Sequence, residues 1–190
     1  SREEMESEEI IENKNGLGFH IPGMFDKVID VKNCYLQRQP SNDIRLAIRN
    51  FALENQWPFF DLRNHEGFLR TLIIRTSTTG ETMVIVAFFY DDEEKRQALF
   101  EHLEKRFPHV TSWMYVINGK ANDTITDLPV YTQKGRDHIF EEMEGLKFKI
   151  GPKSFYQTNS RQAYNLYKVV REFATLSGDE TLYDLYTGTG

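Results

Sequence analysis

The run Met83-Val-Ile-Val-Ala-Phe-Phe-Tyr90 constrains this chain more than any other feature. Its eight residues fall far short of the ~20 that a membrane-crossing helix needs. A β-rich segment that is apolar at every position reads as a central strand covered on both faces. The 190 residues are enough to bury such a core without disulfide or metal staples. The single cysteine excludes an intramolecular disulfide framework and a cysteine-rich zinc site, and fits a reducing, cytoplasmic compartment. The acidic N-terminus shows no basic-then-apolar targeting pattern, and no run is long enough to imply a membrane.

Elements can be placed around that strand. Residues 1–16 form a polar tail. Leu17-Gly-Phe-His20 and Val28 to Cys34, separated by Pro22-Gly23, suggest a hairpin. Ser41-Asn-Asp43 offers caps for a helix carrying Ile44, Ala47, Ile48, Phe51 and Ala52, stopped by Pro58. Phe68 to Thr76 and Glu81 to Tyr90 pair through Ser77 to Gly80. Asp91-Asp92 caps a second helix with an apolar stripe of Ala98, Leu99, Leu103 and Phe107, and Thr111 to Ile117 is another strand. Residues 118–136 are too long for a structureless loop and predict a short strand near Thr124 to Thr126. Asp137 to Met143 and Leu146 to Ile150 make a last hairpin, completing an antiparallel α+β domain over 17–150. From Gly151 the pattern changes. A loop, Lys153 to Asn159, leads into a helix with Ala163, Leu166, Tyr167, Val170, Phe173 and Ala174 on one face, and Thr181 to Tyr186 reads as a strand. A single helix and strand cannot close an α/β domain, so 151–190 is expected to be the start of a second, truncated domain.

The net charge of −6 argues against nucleic acid until it is divided. Residues 145–171 hold six bases (Lys147, Lys149, Lys153, Arg161, Lys168 and Arg171) and no acid. A basic window is ordinarily a solvated face. This one encloses Ser154-Phe-Tyr-Gln-Thr-Asn159, where aromatics could stack on an unstacked base, amides could read base edges or a cofactor, and the flanking Lys153 and Arg161 could hold phosphates. The plainer alternative is that one aromatic is core and the amides only cap. The strand ending at Tyr186 runs into Gly188-Thr-Gly190, a close-approach turn of the kind that meets nucleotide-like ligands, or simply a strand–helix turn.

Taken together, Lys147-Phe-Lys-Ile-Gly-Pro-Lys-Ser-Phe-Tyr-Gln-Thr-Asn159 and, 27 positions after Gln157, Asp184-Leu-Tyr-Thr-Gly-Thr-Gly190 resemble the uracil-5 RNA methyltransferase family. Leu17-Gly-Phe-His-Ile-Pro-Gly-Met-Phe-Asp-Lys-Val-Ile-Asp-Val-Lys-Asn-Cys34 and Gly67-Phe-Leu-Arg-Thr-Leu-Ile-Ile-Arg75 are similar to the family's central domain. The resemblance implies a longer parent that makes 5-methyluridine with S-adenosylmethionine, in ribosomal RNA ahead of transfer RNA. It would have an N-terminal RNA-binding barrel, this central domain and a class I, Rossmann-like methyltransferase domain, and no DNA partner. It implies that Gln157, Tyr186, Asp184, Gly188 and Gly190 bind S-adenosylmethionine, and that Phe155, Lys153 and Arg161 face the RNA substrate. The family's nucleophilic cysteine and general base would lie beyond Gly190, so the fragment alone should be inactive. Cys34 would be the fourth ligand of a 4Fe–4S cluster in the parent, against the plainer reading of a buried thiol.

Thr187 stands where the family usually has a cysteine, a change that backbone contact with the cofactor would tolerate. Arg70 and Lys27 are further candidate RNA contacts, or simply solvated surface charges. The five histidines show no metal-ligand spacing. Two readings compete with the resemblance: a non-catalytic RNA- or protein-binding module, and a class I methyltransferase acting on something other than RNA. Oligomeric state is not legible.

Overall fold

The apolar run folds as expected. Strand β4 (Thr82–Phe88) has all seven residues buried. In the computed structural model, which describes residues 15–186 and Gly188, the chain divides into two compact units, Ser1–Leu69 and Arg70–Gly190.

In the first unit β1 (Gly18–Ile21) and β2 (Met24–Asp30) form the expected antiparallel hairpin, with Phe19 opposite Ile29. The second strand stops at Asp30 rather than at Cys34, because helix α1 (Ser41–Glu54) captures the following backbone. Arg45 donates to the carbonyls of Val31 and, at 3.0 Å, Lys32. Asn42 accepts from the Cys34 N–H at 2.8 Å and donates to its carbonyl at 2.9 Å. Asn42 is thus a buried tether and not the cap its position suggests; the N-cap is Pro40, with no side-chain bond. Ile44, Ala47, Ile48 and Ala52 are the buried apolar residues of α1. Beyond it, Trp57 packs edge-on against Phe51 and Phe68 at 5.2 and 5.5 Å. Asp30 closes the unit by accepting three bonds from Arg49, at 2.6 to 2.9 Å, and one from the Leu17 N–H at 3.0 Å.

The second unit is built on a four-stranded sheet of order β3 (Leu69–Thr76), β4, β5 (Ser112–Ile117) and β6 (Tyr131–Gly135). It departs from a purely antiparallel sheet at one place. β4 and β5 are parallel, because helix α2 (Glu93–Arg106) carries the chain back over one face between them. Asp92 caps α2 by accepting from the Lys95 N–H at 3.1 Å. Its inward side is Leu99, Phe100 and Leu103, with Arg96 stacked 4.1 Å from the Tyr115 ring centroid. Ala98, expected in that stripe, is exposed. Phe100 meets Trp113 at 6.2 Å and Tyr115 at 6.4 Å on this face. On the other face Met83, Ile85 and Ala87 cluster with Met114, Val116, Ile125, Ile139 and Ile150. The last two belong to the hairpin of β7 (Ile139–Met143) and β8 (Leu146–Ile150). Each fully buried side chain of this size contributes about 1.5–3 kcal/mol.

Residues 118–136 hold their strand later than expected, at Tyr131–Gly135 and not near Thr124. The preceding loop is fixed by Ile125, which plugs the cluster, and by Arg70. The Arg70 side chain is fully buried and donates to the carbonyls of Asn118 (2.8 Å), Lys120 and Asn122 (2.9 Å) and to Asp123. Arg70 is therefore a staple of this loop, not the RNA contact considered for it. Helix α3 (Ser160–Ala174) is capped by Asn159, whose side chain accepts from the Gln162 N–H at 3.0 Å. Of its apolar face only Ala163 is buried; Leu166, Val170 and Phe173 are 56%, 55% and 83% exposed. Thr181 to Tyr186 forms no strand. Extended backbone needs a neighbour for its N–H and C=O groups, and no described strand lies alongside it. Among the described residues no helix is long and apolar enough to cross a membrane.

Two outcomes are expected. Arg70→Met, which keeps the bulk but not the donors, should destabilise the protein by about 3 kcal/mol in urea titration, with faster amide exchange at 118–123. Asp30 is held below its ordinary value of 3.8 chiefly by the Arg49 guanidinium, against the opposing effect of burial. The unfolded chain takes up this proton first as pH falls, so the carboxylate's contribution is complete above about pH 4 and lost below it. Asp30→Asn should flatten the acid limb of a stability–pH curve and leave a lower, flatter plateau near neutrality.

Candidate functional site

The segment that connects β8 to α3, residues 151–159, is pinned along its length by the sheet beneath it. Gly151 and Ser154 form a tight turn, the Gly151 N–H donating to the Ser154 hydroxyl at 3.0 Å and the Ser154 N–H to the Gly151 carbonyl at 3.2 Å. Arg75, at the end of β3, donates to both carbonyls of this turn, at 3.0 Å (Gly151) and 2.8 Å (Ser154). Burial pushes the pKa of its guanidinium below the ordinary arginine value. Tyr156 turns inward and packs on Phe148 at 5.9 Å between ring centroids. Its neighbours are open to solvent: Phe155 is 72% exposed and Gln157 is exposed. At the far end the Ser160 hydroxyl donates to Glu141 at 2.9 Å. Glu141 is 3% exposed and also accepts from the Thr78 N–H at 3.0 Å, the Thr78 hydroxyl and the Glu142 N–H at 3.1 Å.

The glycine turn predicted as the partner of this loop comes to it. Gly188 has φ of +71°, and a Cβ placed on it would stand 3.8 Å from the Phe155 carbonyl oxygen. Tyr186 and Asp184 are exposed on the approach to that turn, and Tyr186 also takes a left-handed φ of 65°. The structure thus brings Phe155 and Gly188 together, with Gln157 exposed two residues along. Gly190 and Thr187 lie outside the described residues, as does most of the polar tail.

The basic window is less basic in space than in sequence. Arg171 makes a two-bond pair with Glu144 at 2.7 and 2.8 Å, and the Tyr164 hydroxyl adds a third bond at 2.9 Å. Together they hold the Glu144 carboxyl below its usual range, Arg171 more than Tyr164. Lys147 stands directly across the hairpin from Glu142. Lys168 lies over the Tyr164 ring at 5.4 Å. Lys153 donates to the Leu128 carbonyl. Arg161 is exposed, in the first turn of α3.

Cys34 belongs to the other unit, half-buried and held through its backbone by Asn42. Among the described residues no group of three or more His, Cys, Asp or Glu could hold a metal ion, and the chain has one thiol where a 4Fe–4S cluster takes four. Its own residues do not fit that cluster unaided.

No protein-family model matches the chain. A curated relative from Porphyromonas gingivalis, named an uncharacterized RNA methyltransferase, is 61% identical over 181 residues, covering 94% of this chain and 39% of the relative. One of the same name from Bacteroides thetaiotaomicron is 58% identical over 179 residues, 93% of this chain and 39% of the relative. By sequence, this chain is akin to RNA methyltransferases. It spans about two fifths of the length of these curated relatives. A solved structure is also similar: the tRNA (uracil-54, C5)-methyltransferase of Pyrococcus abyssi in complex with S-adenosyl-L-homocysteine, at a TM-score of 0.64 and 25% identity over 82% of this chain and 37% of the other.

Four side chains escaped the sequence reading: Arg75, Glu141, Glu144 and Ser160. A partial signal was present for two of them, since Arg75 and Glu141 are charges set among apolar residues of strands, where burial calls for a polar partner. Tyr156 is the opposite case. Its hydroxyl is buried with no hydrogen-bond partner among the described residues, and burial, reinforced by Glu141, raises its pKa. Tyr156→Phe should therefore be neutral or stabilising by up to about 1 kcal/mol, whereas Tyr156→Ala should cost about 2 kcal/mol, both read from chemical denaturation midpoints.

Proposed function

We propose that this chain is the middle portion of an S-adenosylmethionine-dependent RNA methyltransferase that methylates the 5-position of a uridine in ribosomal or transfer RNA. Residues 17–150 are its central α+β domain, and residues 151–190 open a class I, Rossmann-like catalytic domain that continues past Gly190. The observation that carries the reading is the approach of Gly188 to the Phe155 carbonyl, which sets the two motifs of the family resemblance side by side. The relatives' common name and the S-adenosyl-L-homocysteine bound to the structural neighbour support the same assignment.

In this reading Gln157, Tyr186, Asp184 and the Gly188/Gly190 turn bind the cofactor, which supplies an electrophilic methyl group when present. The residues fit such a ligand. Glycine at 188 lets backbone approach closely, the Gln157 amide offers both donor and acceptor, and Tyr186 offers an exposed ring. Phe155 faces the target base, and its 72% exposure suits a stacking surface. Lys153 and Arg161 flank it as phosphate contacts; Lys153 would exchange the Leu128 carbonyl for a phosphate oxygen. None of the residues present is assigned the nucleophile. Cys34 sits in the other unit with its backbone tied to α1. If the parent carries an iron–sulfur cluster, Cys34 is its ligand from this chain.

The test is Gln157→Ala in the full-length protein. S-adenosylhomocysteine affinity, by titration calorimetry, should fall about tenfold, the loss expected for a pair of buried amide hydrogen bonds. Transfer of labelled methyl groups to ribosomal and transfer RNA should fall with it. Unchanged affinity and turnover would reject the site, and RNA binding with no transfer to any RNA would favour a non-catalytic module.

A further inference from the structure

Arg75, half-buried, and Glu141, buried, are two charges of opposite sign that meet no counter-ion among the described residues. Arg75 has two neutral carbonyls, Gly151 and Ser154, for partners. Glu141 has hydroxyls and N–H groups: Thr78 on one side, Ser160 on the other. Among the described residues neither makes an ion pair. Burying a charge that way costs desolvation, and apolar residues of the same size commonly give a fold at least as stable. Stability is therefore a poor reason for these residues to be there.

Their targets supply a better one. Arg75 holds the turn at the start of the 151–159 segment, and Glu141 holds Ser160, the first residue of α3 at its end. Tyr156 is seated in the core midway. A loop fixed at both ends and in the middle has one arrangement left, with Phe155 and Gln157 outward and the Phe155 carbonyl against Gly188. Loops that carry binding groups are mobile unless something holds them, and a ligand must otherwise order them on arrival. We infer that Arg75 and Glu141 are positioning residues of the cofactor site, two strand-borne tethers that pre-order the Phe155–Gln157 loop before any ligand binds. The inference rests on the reading of that loop as the cofactor site.

The experiment uses the full-length protein and two readouts: S-adenosylhomocysteine affinity by calorimetry, and amide exchange at 153–160. Arg75→Met should weaken binding about tenfold and speed exchange at 153–160 by at least as much, with exchange in β4 and β5 unchanged. Arg75→Lys, whose ammonium can donate to the same two carbonyls, should recover affinity to within about threefold of wild type. Ser160→Ala, which cuts the Glu141 tether without disturbing the core, should move both readouts the same way by about threefold. It keeps the test open if Arg75→Met fails to fold. Wild-type exchange at 153–160 in these variants would overturn the tethering. So would equal losses in Arg75→Met and Arg75→Lys accompanied by faster exchange throughout the sheet, the mark of general destabilisation. Wild-type affinity in Gln157→Ala, by contrast, rejects the cofactor site itself, so the two failures are told apart.

Discussion

The double-sided burial of β4 is the constraint from which the second unit follows. A strand with no wet face obliges the chain to cover it twice. One cover is α2, and because that helix lies between β4 and β5 the two strands must run parallel. The other is the β7–β8 hairpin, delivered by the long 118–130 loop and by β6 at the sheet edge. Once the hairpin lies on that face, the chain leaving β8 has to emerge beside the end of β3, where Arg75 stands. The place of the candidate site is thus set by core packing, several steps before any functional side chain is considered.

Irregular segments of this unit are held by ionic groups withdrawn from solvent, whose partners are mainly neutral carbonyls, hydroxyls and N–H groups. Arg70 gathers the carbonyls of one loop, Arg75 those of another, and Glu141 a turn and a helix start. In the first unit Arg45 and Asn42 do the same for residues 31–34. A guanidinium suits the task because its donors fan out in a plane and can meet several carbonyls, which in a loop would otherwise be buried without partners. Surface ion pairs such as Arg171–Glu144 are a different class, adding orientation to exposed structure more than stability.

Most of the regular structure was legible because it obeys short-range rules. The helix caps at Asp92 and Asn159, the hairpin turn at Glu144-Gly145 and the apolar strand at 83–88 all announce themselves within a few residues. What was not legible depends on distant partners. The Tyr131–Gly135 strand hides between Pro129 and Gly135 and exists because β5 offers it an edge. Asn42 looks like a cap until Cys34 is seen beside it. Arg70 looks like a surface base until three carbonyls surround it. The candidate site divides the same way. Phe155, Gln157 and the glycine turn were visible as a motif, whereas the residues that hold them lie 76 and 19 positions away in sequence.

Those separations run in one direction. Arg75 and Glu141 both precede the loop they hold, as do β3, β4, β5 and the hairpin. As the chain leaves the ribosome, every group that shapes the loop has been synthesised before Gly188 appears. Translation therefore delivers the loop to a scaffold that has already been synthesised.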